Sequence, residues 1–353
     1  MIVGLYFALV VAVTVAVAVV CVVRRERLLR DECQRRIAGL WMLSGSDPLG
    51  EPGVSLLVDF DTDEQTLESL LSLDYLRYEV IVAGDVATDS RLAWVVRRYA
   101  MIEVSERVDG EGLHHPRRLF RSRRRSYRRL VVVDTDSPIV AGRMDCALSV
   151  RTFDRVVVVE RGVRLLPDAL RVLVWRACEV TDAEVVTAPL LGSYGIMGAV
   201  AEMWGFVGWR GGDVALVDGE RVVSAGGFVS LLEGRGARHT IATRVAKRLG
   251  AQGASLSRMS VAVGRKSHLQ PPLGWVDVVV WHLLLSGVLL VVASDGTLRQ
   301  TVAVGLAVLW FALLLVAVSS RAFCRTAGCR RPWWMSLVAP MALLARIVNI
   351  RKS

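Results

Sequence analysis

Between residues 54 and 265 the chain alternates short apolar runs with segments of helical spacing. The runs that predict strands are Val54–Val58, Tyr78–Ala83, Leu130–Val133 and Arg155–Val159. Helices are predicted over Glu64–Leu73, Ser90–Tyr99 and Pro167–Arg176. Strands that alternate with helices indicate βαβ units with right-handed crossovers. The pattern therefore predicts an α/β domain built on a mostly parallel sheet.

Charged residues follow each predicted strand. The segments are Asp59–Glu64, Gly84–Asp89, Asp134–Asp136 and Glu160–Gly162. The first three are acidic, and the fourth is mixed. Because ligands of open α/β sheets bind outside the carboxyl ends of the strands, these segments are expected to form the functional site.

Long apolar segments flank this region. Residues 2–23 contain no charge, and the stretches 276–294, 301–319 and 333–350 are similarly apolar, except for Arg346 in the last. A membrane span needs about 20 such residues. We therefore predict one N-terminal transmembrane helix and two or three C-terminal ones, since 333–350 either spans the membrane or lies in its interface.

The arginines at 24–30 and 321–331 mark cytoplasmic flanks under the positive-inside rule. The expected localisation is an integral membrane protein of the bacterial inner-membrane type, with its N-terminus outside and its main domain in the cytosol. The expected layout is a transmembrane anchor at 1–23, a juxtamembrane linker at 24–53, a cytosolic domain at 54–270 and a C-terminal transmembrane region at 271–353.

The composition agrees with this layout, with 53% hydrophobic residues and a formal charge of +10. Arg117–Arg129 holds eight arginines in 13 residues. The segment is either a solvated loop or a contact for anionic lipid headgroups. Nucleic acid is not expected as a partner, because the domain is predicted to be tethered to the membrane. The six cysteines are scattered, and neither disulfides nor a zinc site is expected.

Five segments carry a resemblance to a known family. They are Val54–Leu67, Asp74–Val82, the Pro-Asp-x-Leu of Leu165–Leu170, Gly212–Leu216 and the Gly-Gly-Phe of Ala225–Phe228. In this order the chain resembles a family-2 glycosyltransferase, and within that family it is most similar to the membrane-bound ceramide and hopanoid glucosyltransferases. The resemblance implies a GT-A fold and transfer of a sugar from a nucleotide sugar to a lipid or glycan acceptor.

The resemblance also implies a site for Mg²⁺ or Mn²⁺, which such enzymes hold on an Asp-x-Asp before the Pro-Asp-x-Leu. Glu160 and Gly162 stand at those two positions, so one carboxylate is retained. Asp134 and Asp136 form a second Asp-x-Asp, although its spacing from Pro-Asp-x-Leu differs from the family's.

Three further acids are candidates for nucleotide binding. Asp85 and Asp89 lie where the family has its nucleotide-contacting loop, and Asp61 lies in the turn after the first strand. The family's catalytic base would fall on Arg238 and His239. Neither residue is a carboxylate, and His239 is the remaining candidate for the base.

These replacements predict a catalytically degenerate member of the family that acts as partner or scaffold for an active enzyme of cell-envelope glycolipid or glycan synthesis. Such a protein would need no metal cofactor. The alternative is an active, divergent glycosyltransferase that binds a nucleotide sugar with Mg²⁺ or Mn²⁺.

Overall fold

In the computed structural model, seven segments of the chain are described in full. They are residues 52–59, 63–105, 115–179, 183–191, 213–233, 240–259 and 262–266. The structure also describes scattered helical residues between 8 and 30 and between 296 and 319.

The described segments form eleven strands and seven α-helices. The strands are β1 Val54–Asp59, β2 Tyr78–Gly84, β3 Met101–Val104, β4 Arg118–Ser122, β5 Leu130–Asp134, β6 Arg155–Val159, β7 Val163–Leu165, β8 Val185–Leu191, β9 Asp213–Asp218, β10 Leu256–Arg258 and β11 Gly264–Lys266. The helices are α1 Glu64–Leu71, α2 Ser90–Arg98, α3 Val140–Ser149, α4 Ala169–Glu179, α5 Gly219–Ser224, α6 Gly227–Leu232 and α7 Ile241–Ala251. A 3-10 turn spans Arg125–Tyr127.

The centre of the sheet is parallel, as predicted. Strand β1 pairs in parallel with β2 and with β6, and β2 pairs in parallel with β5. In this register Asp59 is opposite Ala83, and Gly84 is opposite Asp134. The carboxyl ends of the four central strands, in the order β5-β2-β1-β6, therefore lie side by side.

Antiparallel strands flank this centre. Strands β3 and β4 extend it beyond β5, and β9 pairs with β6 on the other side, followed by β8. Strand β4 lies in the arginine-rich segment Arg117–Arg129, for which a solvated loop was one of the two predictions. Leu119 and Phe120 of β4 are buried, because the strand lies between β3 and β5 while its arginines remain at the surface or pair with acids.

Helices cover both faces of the sheet. Leu56 of β1 belongs to one apolar core with residues of α1, α2 and α4, and its neighbour Leu57 belongs to the other with residues of α3, α6 and α7. Successive side chains of a strand point to opposite faces, so a strand covered on both faces is apolar throughout. Each such buried leucine contributes about 1.5–3 kcal/mol.

The residue contacts divide the chain into two compact units. One comprises Met1–Glu32, Leu191–Gly211 and Ser267–Ser353, and the other comprises Cys33–Leu190 and Gly212–Lys266. The second unit contains the sheet except for Leu191, the last residue of β8. The expected boundaries at residues 23, 53 and 270 remain predictions.

The prediction of transmembrane helices needs correction. Within the described part of the chain, no helix has both the length and the apolar character needed to cross a bilayer. The expected spans 276–294 and 333–350 lie outside the described residues. An apolar sequence alone does not establish a span, which also requires one long continuous helix. In the predicted N-terminal span Ala18 and Cys21 are buried, whereas Leu9, Val19 and Val20 are exposed. The transmembrane architecture and the integral-membrane localisation are accordingly wrong for the residues described.

Candidate functional site

The candidate site is the edge of the sheet at which the four central parallel strands end. Asp134, Asp85, Asp59 and Glu160 lie in or just after β5, β2, β1 and β6, which are neighbours in the sheet. Among the described residues, acids of the predicted segments therefore lie at neighbouring strand ends. The hydrogen-bond partners of each carboxylate determine what this edge can bind.

Asp59 is paired with an arginine from the helix beneath the sheet. Arg143 of α3 donates from Nε to Oδ1 of Asp59 at 2.8 Å and from Nη2 to Oδ2 at 3.2 Å. Its remaining terminal nitrogen donates to the carbonyl oxygens of Ser137 and Pro138 at 3.3 and 3.1 Å. Both charged side chains are largely buried. One guanidinium thus neutralises the end of β1 and fixes the loop that follows β5.

Asp134 is buried and uses both carboxylate oxygens internally. Its Oδ2 accepts from Nε of Arg118 on β4 at 2.8 Å, and its Oδ1 accepts from the backbone N–H of Val86 at 2.9 Å. Asp136 is exposed and pairs with Arg117 at 2.7 Å. The predicted second Asp-x-Asp is therefore arranged as two ion pairs.

Glu160 connects three elements. Its carboxylate accepts from the backbone N–H of Ile241, the first residue of α7, and it forms an ion pair with Nζ of Lys266, the last residue of β11. Gly162, at the other family cation position, has a φ of +72°. This left-handed conformation favours glycine, so any side chain introduced there adds strain.

Asp85 and Asp89 bind the backbone of their own loop. The Asp85 carboxylate accepts from the N–H groups of Ala87 and Thr88 at 2.9 and 3.2 Å. The bond from Ala87, followed by one from the Thr88 side chain, lowers the pKa of Asp85. Asp89 caps α2 by accepting from the N–H groups of Arg91 and Leu92. Their predicted role in nucleotide binding remains a prediction.

The carboxylates do not form a site that fits Mg²⁺ or Mn²⁺. Both cations prefer carboxylate oxygens that are open to them. Here the oxygens of Asp59, Asp134 and Glu160 accept from arginine, lysine or backbone donors. Among the residues that the structure describes, no three side chains of His, Cys, Asp or Glu lie close enough to hold a metal ion.

Two predicted residues, Asp61 and His239, lie outside the described part of the chain. Three residues that hold the site together were not predicted from the sequence. Arg143 and Lys266 are separated in sequence from their acids, and nothing local marks them. The third is Asp145, a buried acid of α3 that accepts from the N–H groups of Phe228 and Val229 at 2.5 and 3.0 Å.

Asp145 fixes the Gly-Gly-Phe segment. Gly226 and Gly227 have φ values of +86° and +78°, so this turn requires glycine at both positions. The turn aims the first N–H groups of α6 at the Asp145 carboxylate. The motif that resembles the acceptor half of the family is therefore anchored to α3.

No protein-family model matches the sequence, and comparison with curated proteins finds no match. Comparison of structures finds several glycosyltransferases. A Pyrobaculum calidifontis mannosyltransferase solved with GDP-Man and Mn²⁺ is 17% identical, with 93% of this chain and 92% of that chain covered and a TM-score of 0.42. S. aureus TarS is 12% identical, with 78% and 90% covered and a TM-score of 0.40.

Glucosyl-3-phosphoglycerate synthase from Mycobacterium tuberculosis, solved with Mn²⁺ and uridine diphosphate, is 16% identical, with 68% of this chain and 80% of that chain covered and a TM-score of 0.37. Likeness at this level does not by itself carry an argument about function.

Proposed function

We propose that the sheet-containing unit is a GT-A-like, catalytically degenerate glycosyltransferase domain. Its role is that of partner or scaffold for an active enzyme of cell-envelope glycolipid or glycan synthesis. One observation carries the proposal: at the strand-end edge, Asp59, Asp134 and Glu160 are all neutralised by cationic side chains of the same chain. The sequence motifs that resemble those of family-2 glycosyltransferases support the proposal independently of these ion pairs.

The ion pairs oppose metal-dependent chemistry for an energetic reason. A divalent cation could bind Glu160 only by displacing the Lys266 ammonium, and it could bind Asp134 only by displacing the Arg118 guanidinium. The Lys266 side chain is only 19% exposed, and leaving a buried charge without its partner costs about 3–5 kcal/mol. The Arg118 side chain is 42% exposed, so water can solvate it after displacement and its loss costs less. That cost opposes cation binding, and without the cation the diphosphate leaving group of a nucleotide sugar lacks its usual Lewis acid.

The second feature that opposes catalysis is the lack of a carboxylate at the position of the family's general base. A positioned base contributes about 10²–10⁴-fold to a reaction rate. The sequence places Arg238 and His239 where the family has carboxylates, and the acids at the described strand ends are engaged in ion pairs or backbone hydrogen bonds. Efficient transfer would need these acids to be released, whereas a scaffold needs only the folded domain.

Complementation with Glu160→Gln tests this proposal. Glutamine keeps an oxygen that can accept from Ile241 but removes the carboxylate charge. In cells lacking the protein, we expect the E160Q chain to restore the glycolipid profile as fully as the unmodified chain. An E160Q chain that accumulates normally yet fails to restore the profile would contradict the scaffold role. Glu220→Gln, at an exposed acid of α5, is the matched control.

A further inference from the structure

Four exposed arginines form a separate surface, the arginine platform, comprising Arg123, Arg124, Arg125 and Arg128. The platform lies between β4, which ends at Ser122, and β5, which begins at Leu130. Parallel strands β5, β2, β1 and β6 all begin at this end of the sheet and finish at the candidate site. The platform and the candidate site therefore occupy opposite ends of the sheet.

The platform differs from the candidate site in its charge balance. Arg117, Arg118 and Arg143 are each paired with an aspartate at the strand ends. The four platform side chains have no ion-pair partner among the described residues. Among the described residues, Arg117, Arg118 and Arg143 are therefore paired with acids, whereas the platform arginines are not.

The backbone under the platform is held in place. The N–H of Arg123 donates to the carbonyl of Ala100 at 3.1 Å, and the Ser122 hydroxyl donates to the carbonyl of Tyr99 at 2.6 Å. The Tyr127 ring packs edge-on against the Tyr99 ring, with 4.8 Å between centroids. Because the segment is already ordered, binding through these arginines would cost little backbone entropy.

Two exposed apolar side chains lie at the same end of the sheet. Leu76 is 54% exposed, and its carbonyl accepts from Arg129 at 3.0 Å. Ile102 is 42% exposed and stands opposite Arg121 in the β3–β4 pairing. Apolar side chains beside basic ones are typical of surfaces that rest in the interface of an anionic bilayer.

We infer that the arginine platform docks the protein on an anionic lipid surface by binding headgroup phosphates. Guanidinium groups bind phosphate through two parallel N–H donors. Single-stranded nucleic acid is a poorer fit, because it requires exposed aromatic rings for base stacking and Tyr127 packs inward. Docking here leaves the strand-end edge at the opposite end of the sheet free. The inference does not depend on the proposed function.

Vesicle binding by the full-length protein tests the inference. The probes are vesicles of phosphatidylcholine alone and of phosphatidylcholine with phosphatidylglycerol. We expect binding to the anionic vesicles that weakens at high salt. Each arginine near the surface should contribute about fivefold to affinity, so Arg123→Ser/Arg124→Ser/Arg125→Ser should lose at least tenfold.

The matched control is Arg91→Ser/Lys247→Ser/Arg248→Ser, which removes three exposed cations from α2 and α7. It should bind anionic vesicles nearly as well as the unmodified chain. Equal losses in the two triple variants would show a net-charge effect and overturn the inference. So would unchanged binding in the platform variant. Preferential displacement of the vesicles by an RNA oligonucleotide, compared at equal phosphate concentration, would assign the platform to nucleic acid instead.

Discussion

Arg143 donates two hydrogen bonds, of 2.8 and 3.2 Å, to the carboxylate of Asp59 at the end of the central strand β1. Both side chains are largely buried. The pair joins α3 to the carboxyl end of β1 at the candidate site. Because the same guanidinium also binds two carbonyl oxygens after β5, it is a structural element of the strand-end edge.

Removing this guanidinium should destabilise the protein. Arg143→Met removes the guanidinium that pairs with the largely buried Asp59 carboxylate, and we expect the free energy of unfolding to fall by about 3–5 kcal/mol. Denaturant unfolding of the full-length protein measures this loss. Arg143→Met/Asp59→Leu removes both charges and should recover much of the loss. A double variant no more stable than the single one would show that the pair does not act as a unit.

Asp134 and Asp136 provide a matched comparison of a buried and an exposed acid in one loop. The Asp134 side chain is 2% exposed and the Asp136 side chain is 68% exposed, although each pairs with an arginine. Asp134→Asn should cost about 2–4 kcal/mol, and Asp136→Asn about 1 kcal/mol or less. Thermal and denaturant unfolding would check the order. Equal effects would mean that Asp134 is not the hub that its contacts indicate.

The Cys146 thiol makes stability depend on alkaline pH. Burial raises the pKa of Cys146 from 9.0 to about 11, because the thiolate would be poorly solvated in the core. Above pH 9.0 the unfolded chain loses this proton while the folded chain keeps it. The stabilisation is complete below that pH and declines as the pH rises towards 11. Comparing unfolding midpoints of the unmodified chain and Cys146→Ala at rising pH should show a smaller decline for the variant. Parallel curves would contradict the assignment.

The sequence predicted the central elements well because their signals are local. Leu130–Val133 and Arg155–Val159 are β-branched runs, and they form β5 and β6 almost at the predicted bounds. Strand β4 was harder to identify because Arg118–Ser122 has only two apolar residues and its pairing partner β5 supplies the rest of its stability.

The composition of the site was less predictable than its location. Asp59 and Arg143 are 84 positions apart, and Glu160 and Lys266 are 106 apart. Neither separation leaves a periodic or motif signal. The pairs exist because the sheet order and the packing of α3 and β11 bring the side chains together, so they required the structure.

Restoring the family's two acids should not suffice to create a metal site. We expect Arg161→Ala/Gly162→Asp to bind Mn²⁺ poorly, because Lys266 still neutralises Glu160. Adding Lys266→Met should produce measurable Mn²⁺ binding by electron paramagnetic resonance. Adding Glu160→Gln to that triple variant should abolish it. The φ of +72° at Gly162 adds strain of about 1 kcal/mol for aspartate, so each variant is first checked for folding.

Tight Mn²⁺ binding by the double variant would show that Lys266 does not block the position. Absence of binding in the folded triple variant would show that Glu160 and residue 162 do not converge on one cation. Either result would contradict the proposal that the Lys266 ammonium keeps a cation away from Glu160.

The most direct test is transfer from a nucleotide sugar by the purified full-length protein, measured with GDP-mannose and UDP-GlcNAc in the presence of Mn²⁺ or of a chelator. The degenerate domain proposed here should release no sugar above background, and neither Mn²⁺ nor Glu160→Gln should change the result. Mn²⁺-dependent transfer by the unmodified protein that is lost on Glu160→Gln would contradict it, because the Glu160 carboxylate would then serve the cation despite its ion pair with Lys266.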